Sequence, residues 1–206
     1  MGLQLDHLAI CAETLGDGVA YVEDLLQVTL SAGGEHPHMG TYNRLLSLGP
    51  EIYLEVIAIN PQAPAPAHAR WFNLDSFTGT PKLTNWIARC VDLSAATARA
   101  PAGIGEIVEL ERGDLKWRMA VPKDGRLPYD GAHPALISWQ GSKHPAAGLP
   151  DFGCRLQRLE IFHPDAKELR QLVKLEPDPS IVHFSQAPEM KITAIIDTPS
   201  GPVSLG

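Results

Sequence analysis

The sequence predicts an α+β domain built from βαβββ units, each consisting of a strand, a helix and further strands. In the first 60 residues an alternating apolar segment precedes a helical pattern, and apolar segments of strand character follow. The same order returns later, where Leu83–Asn85 aligns on Leu5–His7 and Leu93 on Leu15 without a gap. Because an internal repeat dictates architecture, we expect two modules side by side whose curved sheets form a cup.

Module one covers residues 1–60. Its first strand points Leu8 and Ile10 to one face and His7 to the other. The apolar residues that follow recur at helical spacing, and Asp17 is a candidate for the cap at the start of this helix. Two apolar segments separated by a Gly-Pro pair predict the closing strands.

Residues 61–81 are rich in Pro and Ala, which predicts an extended linker. Module two, residues 82–145, again shows a strand, a helix-prone segment and three further predicted strands. A third βαβββ-like unit, residues 154–206, begins with a strand and a helix that Pro164 could open. We expect this C-terminal unit to pack on the same domain.

The composition argues against several classes of protein. The formal net charge is -7 and no run of Lys and Arg occurs, so a nucleic-acid partner is not expected. No apolar run approaches the ~18 residues of a membrane span, and the N-terminus lacks the pattern of a secretory signal. The three cysteines lie far apart, which disfavours a disulfide framework. We therefore expect a cytoplasmic protein with a small-molecule partner.

His7 and Glu55 are ionisable residues within strongly apolar strands. A carboxylate there is costly unless it is paired, hydrogen-bonded or bound to a cation. Imidazole and carboxylate groups are suitable ligands for a divalent metal such as Zn, Mn, Fe or Ni. A buried His–Glu pair, in which each residue satisfies the other, accounts for the same pattern.

The string GGEHPHMGTYN, residues 33–43, is the second candidate for a functional segment. The proline between His36 and His38 favours an extended chain, which can place both imidazoles on one side. Thr41 and Asn43 are two residues apart in a predicted strand, so their side chains lie on the same face and both can point into the cup. There an Asn can donate and accept hydrogen bonds. The alternative is a solvated loop that leads into a strand.

Module two offers aromatic and basic candidates. Trp86, Trp117 and Trp139 lie in separate predicted strands, where aromatic residues are usually core but can instead line a site for a planar ligand. Arg118 would bind an anionic group if it faced the cup, and would otherwise lie on an exposed face. His144 follows the last strand and is a candidate for the rim of the cup.

The strings LDHLAI, GGEHPHMGTYNRLLSLG and YLEVIAINP resemble the glyoxalase-like members of the vicinal oxygen chelate superfamily. LTNWIARCVDL, LKWRMAVP and ALISWQG continue the resemblance, which covers residues 3–145. The resemblance implies the cup of paired βαβββ modules found in glyoxalases and dihydroxybiphenyl dioxygenases. It also implies one divalent ion that stabilises an enolate or another oxyanion. Modules pair across chains in such folds, so a homodimer is kept as a partner prediction.

The resemblance places His7 and Glu55 at the metal-ligand positions of module one. It places Asn85 and Ser138 at those of module two, where neither is a strong ligand, so the metal is present only if other groups replace them. The resulting catalytic candidates are His7, Glu55 and His38. The candidate substrate-binding residues are His36, Thr41, Asn43, Trp86, Arg118 and Trp139.

Two functions remain open. The first is a glyoxalase-like enzyme, of the lyase, isomerase or dioxygenase type, that acts on a small oxygen-rich metabolite through an oxyanion or enolate. The second is a metal-free protein of the bleomycin-resistance type that binds or sequesters a small molecule. The fold alone does not choose between them.

Overall fold

The computed structural model describes residues 2–206, whose strands form two sheets. Module one consists of β1 (Gln4–Cys11), α1 (Leu15–Leu26), β2 (Ser31–His36), β3 (Thr41–Ser47) and β4 (Tyr53–Ile59). Module two consists of β5 (Lys82–Arg89), α2 (Leu93–Thr97), β6 (Glu106–Arg112), β7 (Leu115–Val121) and β8 (Ala135–Gln140).

These eight strands form one curled sheet in the order β2-β3-β4-β1-β5-β8-β7-β6. In each module the first strand pairs in parallel with the last, β1 with β4 and β5 with β8. The modules join where β1 and β5 pair antiparallel. The edge strands β2 and β6 approach each other because the sheet curls into a cup. The predicted α+β class with paired βαβββ modules and a cup-shaped sheet is therefore confirmed.

Helix α1 begins one turn earlier than the predicted cap would place it. Thr14 is the N-cap, because its side-chain oxygen accepts the backbone N–H of Asp17 at 3.1 Å. The Thr14 hydroxyl in turn donates to the Asp17 carboxylate at 2.6 Å. Asp17 thus lies in the first turn, where a negative charge favours the helix. In the part of the chain that the structure covers, no helix has the length and apolar character that a membrane crossing requires.

The C-terminal unit follows a short helix α3 (Pro145–Gly148) and has the expected order of elements but a different pairing. Its elements are β9 (Arg155–His163), α4 (Ala166–Leu172), β10 (Val182–Gln186), β11 (Lys191–Thr198) and β12 (Gly201–Leu205). They form a separate sheet in the order β10-β9-β11-β12, so the parallel partner of the first strand is the strand after the helix. Helix α4 begins after Asp165, and Pro164 precedes that cap rather than opening the helix.

The second sheet shares a hydrophobic core with the first. Trp86 is fully buried, its Nε1–H donates to the Ala132 carbonyl at 3.0 Å, and its ring packs against Phe184 with 6.3 Å between centroids. Leu8 on β1 and Leu159 on β9 belong to the same buried cluster. Each such side chain contributes roughly 1.5–3 kcal/mol by leaving water. This packing supports the face of the large sheet opposite the cup.

Candidate functional site

A small cavity of about 30 Å³ lies inside the cup, and we call it the inner cavity. Its polar lining residues are His7, His36, Asn43, Glu55 and Arg112. Its walls are Tyr53, Trp71, Phe72, Trp117, Met119, Ile137 and Trp139. About 10–15 Å³ of such space holds one water, so the inner cavity has space for roughly two waters or one small group of a ligand.

A β-bulge places Asp6 and His7 on the same side of β1. Leu5 pairs with Ala88 and His7 pairs with Ile87, which leaves Asp6 as the extra residue of the strand. Neighbours on a regular strand point to opposite faces. Here the Nδ1–H of His7 donates to Asp6 Oδ1 at 2.6 Å. The bulge therefore creates a contact that strand periodicity does not predict.

Asp6 is a fully buried carboxylate with three ring N–H donors. Besides His7, it accepts hydrogen bonds from Trp139 Nε1 at 2.9 Å and from His144 Nε2 at 3.0 Å. Burial raises the pKa of Asp6, but hydrogen bonds from His144 and His7 outweigh it and hold the pKa well below its ordinary value. Asp6 is therefore an anion inside the protein. The sequence signal was present, since the cost of an ionisable group in an apolar strand applies to Asp6 as it does to Glu55.

The contact with Asp6 determines which nitrogen of His7 is available for chemistry. Because Nδ1 carries a proton, Nε2 of the neutral imidazole carries a lone pair. This Nε2 lies 3.7 Å from Glu55 Oε2, too far for a direct hydrogen bond. The Tyr53 ring stacks on His7 with 4.4 Å between centroids and 12° between planes, which fixes the imidazole plane. Burial raises the pKa of Tyr53 well above its usual value, so Tyr53 is a neutral phenol.

Asn43 lies between the negative and positive groups of the site. Its Nδ2 donates to Glu55 Oε1 at 2.5 Å. Its Oδ1 accepts from Arg112 NH1 at 3.1 Å and from the Gly34 backbone N–H at 2.8 Å. The amide is thus oriented with its donor toward the carboxylate and its acceptor toward the guanidinium.

Two glycines of β2 make this arrangement possible. The register between β2 and β3 is irregular from Ala32 to Glu35, across Gly33 and Gly34. A Cβ at Gly33 would lie 2.2 Å from the backbone oxygen of Asn43, and one at Gly34 would lie 2.6 Å from Cδ of Arg112. The glycine pair therefore lets the strand approach both polar residues closely.

His36 is a neutral acceptor that orients Arg112. Burial lowers the pKa of His36 to about 4. Its Nε2 lies 3.1 Å from Arg112 NH1, which can only donate, so Nε2 accepts and Nδ1 carries the proton. That Nδ1–H donates to Thr41 Oγ1 at 3.0 Å. His36 and Thr41 are both buried and positioned by β2 and β3 rather than by a solvated loop.

Of the other predicted site residues, Trp139 lines the inner cavity, whereas His38, Trp86 and Arg118 lie outside it. His38 is exposed and stacks on His68 with 4.6 Å between centroids. Trp86 is in the core beneath the sheet. Arg118 alternates along β7 with residues that line the inner cavity, so it faces the opposite side. Trp139 lines the inner cavity and donates to Asp6.

The Pro- and Ala-rich linker contributes two walls that the sequence did not predict. Trp71 and Phe72 lie in a short 3-10 segment, Trp71–Ser76, and both are buried. Phe72 has φ 58° and Asn73 has φ 54°, a left-handed conformation that the Asn73 N–H supports by donating to the Gly125 carbonyl at 2.8 Å. The aromatic pair after the Ala-rich run was the only signal for this role.

A larger outer cavity of about 440 Å³ lies next to the inner one. Its lining includes Lys82, Asn85, Arg126 and Asp130. Phe72 lines both cavities, so its side chain belongs to the wall between them.

The donor set does not fit a resident divalent metal. His7 Nε2 and Glu55 Oε2 are two suitable ligands, but module two adds none. Asn85 lines the outer cavity, and Ser138 alternates with lining residues of β8 and faces away. The strand register instead places Ala135 at the position that corresponds to Glu55.

His36 lines the inner cavity but uses its free nitrogen to accept from the Arg112 guanidinium, so it is not available as a replacement ligand. Among residues 2–206, no group of three or more His, Cys, Asp or Glu side chains is arranged to hold a metal ion. A guanidinium beside the pocket also repels a divalent cation. The chemistry of the site is therefore best derived from its acid, base and hydrogen-bonding groups.

Comparison with known proteins gives a family and a fold. The family model described as a glyoxalase-like domain matches residues 5–175. A hypothetical protein from Staphylococcus aureus shares the fold, with a TM-score of 0.68 and 16% identity over 96% of this chain and 92% of that one.

Two epimerases align less closely. A methylmalonyl-CoA epimerase from Mycobacterium tuberculosis has a TM-score of 0.44 and 18% identity over 68% of this chain and 89% of its own. A Streptomyces coelicolor methylmalonyl-CoA epimerase, in complex with 2-nitronate-propionyl-CoA, has a TM-score of 0.46 and 11% identity over 69% and 100%. No curated protein matches the chain. The family match spans most of the chain, which therefore belongs to the glyoxalase-like domain family.

Proposed function

We propose that this chain is an enzyme of the isomerase or lyase type that removes a proton from carbon next to a carbonyl group. The observation that carries the proposal is the free Nε2 of His7, which faces Glu55 while a buried Asp6 holds Nδ1. A carboxylate that fixes the tautomer of a histidine is a recurrent way to prepare a general base. The substrate is a small oxygen-rich metabolite whose reacting group enters the inner cavity.

His7 serves as the base. Its Nε2 lone pair takes the proton, and the C–H electron pair moves toward the carbonyl to give an enolate. The imidazolium lies between two carboxylates, Asp6 at 2.6 Å and Glu55 at 3.7 Å, which stabilise its charge. Return of the proton from Nε2 to a neighbouring atom of the enolate completes an isomerisation without net oxidation or reduction.

Arg112 stabilises the negative charge that develops on the substrate oxygen. It is the only Lys or Arg among the residues that line the inner cavity. His36 and Asn43 hold one of its nitrogens in place, so the cation is oriented before the reaction begins. A preorganised charge of this kind is often the largest contribution to catalysis. Every group in this proposal belongs to one chain, so the chemistry does not require a second copy.

Deuterium exchange tests the proposal directly. The protein is incubated in D₂O with a panel of small 2-oxo and 2-hydroxy acids, their esters and simple ketones, and C–H loss is followed by proton NMR. We expect exchange with the wild-type protein, loss of roughly 100-fold or more in His7→Gln, and wild-type rates in His183→Gln. His183 is an exposed histidine on β10 and serves as the matched control. Equal exchange by His7→Gln and wild type would refute the assigned base.

A metal-free binding protein is the second candidate. It is favoured by the walls of the inner cavity, which are mostly aromatic or aliphatic, and by the lack of an ionisable partner from Asn85 or Ser138. If compounds of the panel raise the unfolding temperature but none exchanges deuterium, this second function is supported.

A further inference from the structure

We propose that Arg112 and Trp71 form a subsite for a carboxylate group, so that the substrate is an organic anion. This inference rests on the proposed function, because it takes the bound acid to be the substrate of that reaction. The subsite itself is argued from its own donors and can be tested without any reaction.

Arg112 has no anionic partner among the residues that the structure describes. Its NH1 donates to His36 Nε2 and Asn43 Oδ1, each at 3.1 Å, and both acceptors are neutral. The residue is half-buried, where a guanidinium without a counter-charge is costly. A guanidinium has five N–H donors in a planar fork that matches a carboxylate. Its three N–H donors outside NH1 are therefore available to a ligand, both to a carboxylate and to the oxygen on which charge develops.

Asn43 lies between this cation and the Glu55 carboxylate, which also lines the inner cavity. Glu55 Oε1 accepts from Asn43 Nδ2 at 2.5 Å, and the opposite end of the same amide accepts from Arg112. Without this amide, Glu55 and Arg112 would be expected to pair and neutralise each other. The amide thus preserves a positive charge beside the inner cavity.

Trp71 supplies a second, independent observation. The residue is 4% exposed and lines the inner cavity, yet its Nε1–H has no acceptor in the described chain. Buried N–H groups are nearly always satisfied, so an orphaned donor at a cavity is available to the acceptor of a ligand. The Trp71 ring contacts His36 edge-on with 5.0 Å between centroids, and Arg112 bonds to the same imidazole. One carboxylate oxygen can therefore accept from Arg112 and the other from Trp71.

The outer cavity contains two cations that could compete with Arg112 for an acid. Lys82 and Arg126 line it, and an acid could bind there instead. Arg126 therefore provides a matched control, because its substitution removes the same charge from the other cavity.

The experiment measures binding of formate, acetate and pyruvate by calorimetry, with methyl pyruvate as the uncharged analogue. Pyruvate is expected to bind wild type at least about tenfold more tightly than methyl pyruvate does, since a charge-assisted hydrogen bond is lost in the ester. Arg112→Gln should weaken pyruvate binding by about tenfold or more, and Trp71→Phe by a few-fold. Arg126→Gln should bind as wild type.

His7→Gln separates this inference from the proposed function, because it should retain pyruvate affinity within a few-fold while its deuterium exchange falls roughly 100-fold or more. Arg112→Lys, which retains the charge, keeps part of the affinity and serves as a second variant if Arg112→Gln unfolds. The subsite is overturned if no acid binds wild type, if methyl pyruvate binds equally well, or if Arg126→Gln loses affinity while Arg112→Gln retains it.

Discussion

Asp6 accepts a hydrogen bond from His7 at 2.6 Å, although the two residues are consecutive on one strand. The bulge at Asp6 makes this contact possible, and it converts two neighbours into an anion and an oriented base. Because Asp6 also holds Trp139 and His144, the same carboxylate connects the base to both module two and α3.

Substitution of Asp6 by Asn should greatly reduce catalysis. An Asn side chain offers one acceptor oxygen where the carboxylate serves three N–H donors, and it cannot stabilise an imidazolium by charge. We expect deuterium exchange to fall by roughly 100-fold or more. Proton NMR rates measured beside an Asp24→Asn control, which changes a residue of α1, check the expectation. A rate within a few-fold of wild type would show that Asp6 has only a structural role.

The stability of the protein should decrease as the pH falls from about 6.5 toward about 4. Burial lowers the pKa of His36 from 6.5 to about 4, so the unfolded chain takes up this proton before the folded protein does. The stability that His36 confers is complete above its unfolded pKa and falls by about 3 kcal/mol across this window.

Urea unfolding at pH 7 and pH 4.5 measures this effect. His36→Gln should show a smaller loss of unfolding free energy between the two pH values than wild type does. His183→Gln, which alters an exposed imidazole, should behave as wild type. An equal loss in His36→Gln and wild type would assign the pH dependence to other groups.

The two glycines of β2 should respond differently to alanine. At Gly33 the new Cβ meets the backbone of Asn43 at 2.2 Å, which cannot easily move, so Gly33→Ala should cost roughly 1–3 kcal/mol of stability. At Gly34 it meets the flexible side chain of Arg112, so Gly34→Ala should lose pyruvate affinity more than stability. Gly148→Ala has open space around it and is the control. Unfolding and calorimetry together distinguish the two effects, and similar losses of stability in both variants would contradict this account.

Removal of the Phe72 ring should join the two cavities. Phe72→Ala deletes part of the wall between them, at a cost of roughly 3–5 kcal/mol in stability. Because the inner cavity is only about 30 Å³, the variant should favour larger acids, and the affinity for benzoylformate should rise relative to pyruvate. Calorimetry with both acids measures this ratio. An unchanged ratio would mean that Phe72 does not limit the size of the ligand.

Elemental analysis of untagged protein should find well below one transition-metal ion per chain, and deuterium exchange should persist after treatment with a chelator. The reason is the donor set, which offers only His7 and Glu55 beside a guanidinium. A stoichiometric metal that is lost in the His7→Ala/Glu55→Ala double variant would contradict this expectation and restore the metal mechanism.

Local periodicity predicted much of the fold and part of the site. Alternation of side chains along β1 and β4 predicts that His7 and Glu55 face the cup. The same alternation along β3 predicts that Asn43 faces it too. These residues depend only on the pattern of their own strands, so a single sequence is sufficient to find them.

The remaining site residues depend on features that periodicity does not contain. Asp6 faces the site because of a bulge, which breaks the alternation of its strand. Arg112 ends an edge strand of module two and reaches Asn43 only because the sheet curls until its edges meet. Trp71 belongs to a segment with linker composition. In each case tertiary structure, not local sequence, brings the residue to the cavity.

The curled sheet also divides the charges of the site between its two halves. Module one carries Asp6 and Glu55, whereas the cation Arg112 comes from module two. Neither module alone supplies both signs of charge to the inner cavity. A dipolar site of this kind exists only where the two modules join in one sheet. A ligand that binds there would contact both modules and hold them together.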